Sequence, residues 1–280
     1  MKKIILASFL FSGALSSQAQ DVHLFVGGGI MNYQGDLQPR RLTLSQAKPY
    51  VTVGGYYELT EKLWIRAGIV AGKVTASDSV AKLNQVRNLS FSSQVIEFHL
   101  GAEYDILNSY EHLLTPYIFA SVAGFHFNPY TQDINKNKVY LQPLGTEGQG
   151  FFQGRKKYGL TQLSVPFGGG IKIAVSENIQ VRLEAVLRKL FTDYLDDVST
   201  FYVNQANLLS NNGQQAVDLA FRSDEINPLL QYPNEGNIRG NPKSKDFYYT
   251  GGVSVSFRLQ GNPNRGKPGK GKLGCPVNVY

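Results

Sequence analysis

The 280-residue chain is poor in the residues that carry redox and nucleophilic chemistry, with one cysteine, four histidines, two methionines and one tryptophan. A lone cysteine, Cys275, excludes an intramolecular disulfide framework. Long apolar runs are also missing. Beyond the first twenty residues nothing approaches the roughly 20 apolar residues of a membrane-spanning helix, and the mean hydropathy of -0.21 is slightly polar. Taken alone, that would indicate a soluble protein. Barrel strands, however, dilute their apolar residues by alternation, so average hydropathy underreports them. What the chain does hold is 16 tyrosines, 16 phenylalanines and 29 glycines, the balance expected of aromatic girdles and strand glycines.

The first residues, MKKIILASFLFSGALSSQAQ, place Lys2 and Lys3 before a short apolar run and then the small-residue site Ser17-Gln18-Ala19. This is the pattern of a secretory signal peptide, so the mature chain is expected to begin at Gln20 or Asp21. The formal charge of +7 falls to about +5 without Lys2 and Lys3. Nucleic acid is not an expected partner of an exported chain.

Period-two alternation marks eight strands, at about 22–31, 50–58, 63–74, 89–104, 115–127, 158–175, 179–192 and 247–259. The last, FYYTGGVSVSFRL, sends Phe247, Tyr249, Val253, Val255, Phe257 and Leu259 to one face. Connections at 59–62 and 176–178 are tight and 105–114 is moderate, whereas those at 32–49, 75–88, 128–157 and 193–246 are long. Short periplasmic turns alternating with long external loops are the rhythm of outer-membrane barrels. The expectation is an all-β chain: an eight-stranded antiparallel transmembrane β-barrel (21–259), a signal peptide (1–20) and a flexible basic tail (260–280). With eight strands both termini are periplasmic and the lipid bilayer is the barrel's solvent.

Strand parity directs Arg66, Glu97, His99, Glu103, Lys172, Arg182, Glu184, Arg188 and Arg258 inward. Eight strands enclose a lumen that side chains can fill, so these residues are expected to form a paired charge network rather than a pore. A tight turn at 176–178 sets Lys172 opposite Arg182 and predicts a diagonal pair with Glu184.

Catalytic arrangements find little support. Ser121 and His126 lie on opposite faces by parity, and His99 between Glu97 and Glu103 reads as part of the network, so no catalytic residues and no cofactor are assigned. The alternative is a lipid-modifying barrel enzyme working through His99 or His126, or a passive structural or small-solute barrel. Asp193, Asp196 and Asp197 in FTDYLDDVST carry oxygen ligands but lack the spacing of a calcium loop, and read as an acidic loop at the membrane edge. GTEGQG lacks the strand-to-helix setting of a phosphate loop. The tail residues Arg265, Lys267, Lys270, Lys272 and Cys275 are the candidate partner-binding set, with an intermolecular disulfide through Cys275 as one reading and an incidental thiol as the other.

Several stretches resemble the PorG-type outer-membrane barrels of the type IX secretion system of Bacteroidetes. They are Tyr33-Gln34-Gly35-Asp36-Leu37, Arg87-Asn88-Leu89-Ser90-Phe91, Glu97 with Glu103-Tyr104, Pro116-Tyr117, Phe127-Asn128-Pro129, LQPLGTEGQG and FTDYLDDVSTFY. The resemblance implies a non-enzymatic component of a protein-export machine. It implies as partners the machine's periplasmic ring lipoprotein and that lipoprotein's ring partner.

Overall fold

The computed structural model of the chain describes residues 21–40, 43–82 and 84–260. Residues 1–20, expected from sequence to be a signal peptide, and those beyond residue 260, including Arg265, Lys267, Lys270, Lys272 and Cys275, lie outside the described residues.

Nine strands form one antiparallel sheet: β1 (Val22–Gln34), β2 (Lys48–Glu58), β3 (Leu63–Ser77), β4 (Ser90–Asp105), β5 (Leu114–Gln132), β6 (Lys138–Tyr140), β7 (Thr161–Ala174), β8 (Ile179–Leu190) and β9 (Phe247–Gln260). Their order is β4-β3-β2-β1-β9-β8-β7-β5, and β4 also pairs with β5, so eight strands close into a barrel and leave no open edge. The ninth, β6, is a three-residue hairpin partner on the projecting end of β5.

Closure sorts the alternating residues. On β4, Glu97 and Glu103 are fully buried in the lumen, whereas Ile96 and Phe98 are 58% and 57% exposed on the outside. Every barrel strand repeats this, and the outside becomes an apolar belt of the kind lipid-facing barrels present. Tight turns sit at one end with both described chain ends; for example Val175 N–H donates to Ile179 O at 3.0 Å and Leu59 N–H to Leu63 O at 2.9 Å. This is the turn end. At the opposite, loop end lie the connections 35–47, 78–89, 133–160 and 191–246, the last holding the helical pair Gln205–Asn212 and Gln214–Ala220.

Most boundaries shift by one to three residues from the sequence expectation, and two of the differences have a clear structural reason. Strand β5 continues through Pro129 to Gln132, because β4 and β6 flank it on either side there. The next barrel strand starts at Thr161, not Tyr158. Tyr158 instead packs flat between Phe127 and Tyr194, with ring centroids at 6.2 and 4.9 Å.

Candidate functional site: a filled lumen under a buried cap

Strands β3, β4, β7 and β8 supply the charged half of the lumen. Glu103 accepts from Arg182 Nη1 at 2.8 and 3.1 Å and from Arg66 Nη1 at 3.4 Å, and it forms an ion pair with Lys172 Nζ at 2.7 Å. Arg66 also makes a two-bond contact with Glu184 at 2.8 and 3.1 Å, and Tyr117 OH donates to the same carboxylate at 2.9 Å. Arg188 Nε spans both oxygens of Glu97 at 3.0 and 2.8 Å, and its Nη1 reaches Thr250 Oγ1 at 3.0 Å. Tyr248 OH bonds to Glu97 as well. Four cations thus meet the four carboxylates Glu97, Glu103, Asp105 and Glu184. Buried charges of both signs in such contacts offset each other's desolvation. Guanidinium faces add to this, with Arg182 3.6 Å from the Tyr56 ring centroid and Arg66 3.7 Å from that of Phe119.

The register sets Lys172 opposite Arg182, but the diagonal pair with Glu184 does not form. Lys172 reaches across the lumen to Glu103 and to Asp105, 2.5 Å away, while Glu184 is taken by Arg66. The reason is geometric: in so narrow a barrel a long side chain meets strands two places away as readily as its diagonal neighbour. Asp105 escaped the sequence reading because the strand was ended at Tyr104; one further step of the same parity would have found it. Arg258 stands apart at the turn end, 2.7 Å from Asp21.

His99 is buried with Nδ1 3.7 Å from Glu97, yet neither of its ring nitrogens has a hydrogen-bond partner, nor does Ser121 Oγ. No nucleophile–base contact forms there. His126 points outward and meets only Thr161 Oγ1, at 3.1 Å. The cavity beside His99 and Ser121 measures about 20 Å³, room for roughly one water.

Toward the loop end the lumen turns apolar. Met31, Val70, Val74, Phe91, Val95 and Phe127 fill it, with Tyr33 and Tyr248. Above them the long loops pack into a cap, and the acidic residues expected in a loop at the membrane edge are buried within it. Asp193 accepts from Ser199 Oγ at 2.7 Å, and Asp197 from Thr146 Oγ1 and Tyr158 OH at 2.6 and 2.7 Å. Asp196 and Asp246 lie 2.5 and 3.1 Å from the single Tyr33 hydroxyl. The two buried carboxyls share this one O–H besides a backbone N–H each, from Val198 and Leu195, an arrangement that favours their protonated forms. Accordingly, burial raises both carboxyls well above the usual range, Asp196 further by the charge of Asp36 and Asp246 by that of Asp196. Burial also lifts Asp193 to about 7, and Asp197 to about 6 against the pull of Arg239.

Glu147, in the TEGQG stretch, is the hub of the cap. It accepts from the N–H groups of Ser199 and Thr200 at 2.9 and 3.0 Å, from Thr200 Oγ1 at 2.6 Å and from Arg239 Nη1 at 3.0 Å. Gly145 and Gly148 carry φ of +56° and +81°, a left-handed backbone that glycine adopts without strain, and a Cβ on Gly148 would sit 2.8 Å from Val203 Cγ1. Arg87 completes the cap, clasping Asp78 at 2.7 and 2.8 Å and donating to the carbonyls of Asp36 and Arg239 at 3.0 and 2.6 Å. The stretches around Tyr33, Arg87, Glu147 and Asp197, dispersed in sequence, therefore meet at one end of the barrel. Asp36, Asp78, Asp246 and Arg239 were missed, since nothing local marks a buried loop residue.

No curated protein matches the chain. Solved outer-membrane barrels are similar in fold. Neisserial surface protein A is 8% identical with a TM-score of 0.45, covering 85% of this chain and 97% of that one. Ail of Yersinia pestis, solved with the heparin analogue sucrose octasulfate, is 8% identical at 0.41, covering 86% and 99%. The N-terminal barrel domain of Pseudomonas aeruginosa OprF is 11% identical at 0.36, covering 86% and 100%. A family model matches residues 2–212, a span that takes in seven of the eight barrel strands and three of the four cap loops with the first part of the fourth, and the chain belongs to that family, described as a domain of unknown function (DUF6089).

Proposed function

We propose that this barrel sits in the outer membrane with its tight turns and both termini on the periplasmic side. There it serves as a non-enzymatic component of the type IX protein-secretion machine, anchoring or positioning the machine's periplasmic ring. The observation that carries the anchoring reading is the filled lumen: four buried ion-paired cations and an apolar plug leave a cavity of about 20 Å³, too small for a solute path. The resemblance to PorG-type barrels supports the secretion role, and the stretches that carry it supply much of the buried cap. Ring contact falls to the periplasmic side, which offers short turns and the basic segment with Arg265, Lys267, Lys270, Lys272 and Cys275, where an intermolecular disulfide could also form.

The test is affinity recovery from detergent-solubilised membranes, followed by mass spectrometry. Full-length protein is expected to recover the ring lipoprotein and its partner, and a variant lacking residues 261–280 to lose them. Absence of both from the wild-type sample rejects the secretion role; unchanged recovery by the truncated protein rejects the tail as the main contact.

A further inference from the structure

A groove of about 290 Å³ opens on the outer wall of the barrel at its loop end, where β3, β4, β5 and β6 run side by side. Along it runs the outward-facing cross-strand row Thr75–Ser92–Tyr130, which Tyr140 of β6 extends past the groove's rim. Two ammonium groups converge on it from different segments. Lys73 Nζ, from β3, lies 5.3 Å from the centroid of the Tyr130 ring; Lys138 Nζ, from β6, lies 4.1 Å from the same centroid and 2.9 Å from Tyr140 OH.

Among the described residues neither lysine has a carboxylate within ion-pair distance. The neighbouring cation, Arg222, is already neutralised by Glu225 at 2.8 Å. Two like charges gathered around one aromatic ring repel each other, and the ring quadrupole offsets only part of that cost. An anion between them would remove it. The position also says where that anion comes from, since further down the same outward faces Ile69, Ile96 and Phe98 are exposed in the apolar belt. The groove thus stands at headgroup level, where long basic side chains and tyrosines meet the membrane interface.

We propose that Lys73 and Lys138 bind the phosphate of an outer-leaflet lipid headgroup in this groove, with Tyr130 and the Thr75 and Ser92 hydroxyls as its bed. The proposal rests on placing the long loops outside the outer membrane, not on the secretion role. A barrel that recovers no ring protein can still bind lipid.

The test is lipid binding by the purified full-length protein in neutral detergent, read by native mass spectrometry, with bis-phosphorylated lipid A, its dephosphorylated form and inorganic phosphate as probes. Wild type is expected to bind the phosphorylated lipid selectively. Each lysine removed should cost roughly fivefold, and Lys73→Ala with Lys138→Ala about thirtyfold. The double Lys→Arg variant should retain binding, and Lys189→Ala, an exposed lysine on β8 outside the groove, should leave it unchanged. Equal binding of the dephosphorylated lipid, equal competition by inorganic phosphate, or an equal loss in Lys189→Ala would each overturn the proposal.

Discussion

Glu103 is ion-paired with three buried cations, and its place at the centre of the charged lumen gives a sharp single-residue expectation. Glu103→Gln keeps the shape and removes the charge, leaving Arg182 and Lys172 facing each other across a neutral amide. Breaking a buried pair in this way costs about 3–5 kcal/mol. Trp64, the chain's only tryptophan, lies within reach of the same centre: its Nε1 donates to Asp105 at 3.1 Å, and Lys172 Nζ stands 4.9 Å from its ring. Denaturant unfolding in micelles followed by tryptophan fluorescence should therefore show a markedly lower midpoint for Glu103→Gln. An unchanged midpoint would mean that the network does not hold the lumen together.

At the scale of elements, the barrel and its cap respond to pH differently. Asp193 and Asp197 have folded-state values of about 7 and about 6 against an ordinary 3.8, so the folded cap binds more protons than the unfolded loop. The stability this contributes is fully present below about pH 4 and is lost as pH rises through 6 and 7. Amide exchange at residues 193–200, corrected for intrinsic rates, should be faster at pH 8 than at pH 5.5. Asp193→Asn with Asp197→Asn should flatten the difference; equal protection in wild type at the two values would contradict the account. The same division explains what was legible in the sequence. Strands announce themselves locally, because a period of two holds wherever one face meets lipid and the other a polar lumen, and even the register of Lys172 against Arg182 follows from one tight turn. The cap has no period. Its bonds join Glu147 to Arg239, 92 residues away, and Tyr33 to Asp196 across 163, so the burial of the acidic loop's aspartates as acceptors has no local mark in the sequence. Strand β5 outruns its expected end at 127 for a related reason: its neighbours β4 and β6 are supplied from elsewhere in the chain.

For the whole molecule, lipid outside, charge pairs and aromatics inside, and a hydrogen-bonded cap above describe a barrel built to remain in the membrane rather than to pass solutes through it. Eight strands leave little room for any other interior, and the side chains present use that room up. Under the proposed function, the strands hold the protein in the membrane and contact with periplasmic partners is assigned to segments outside them. The most direct measurement is single-channel recording of the purified full-length protein in planar bilayers. The account predicts insertion without discrete conductance steps above the bare-bilayer baseline. A steady, stepwise ion current that scales with the number of inserted barrels would contradict a filled lumen and return the protein to the channels.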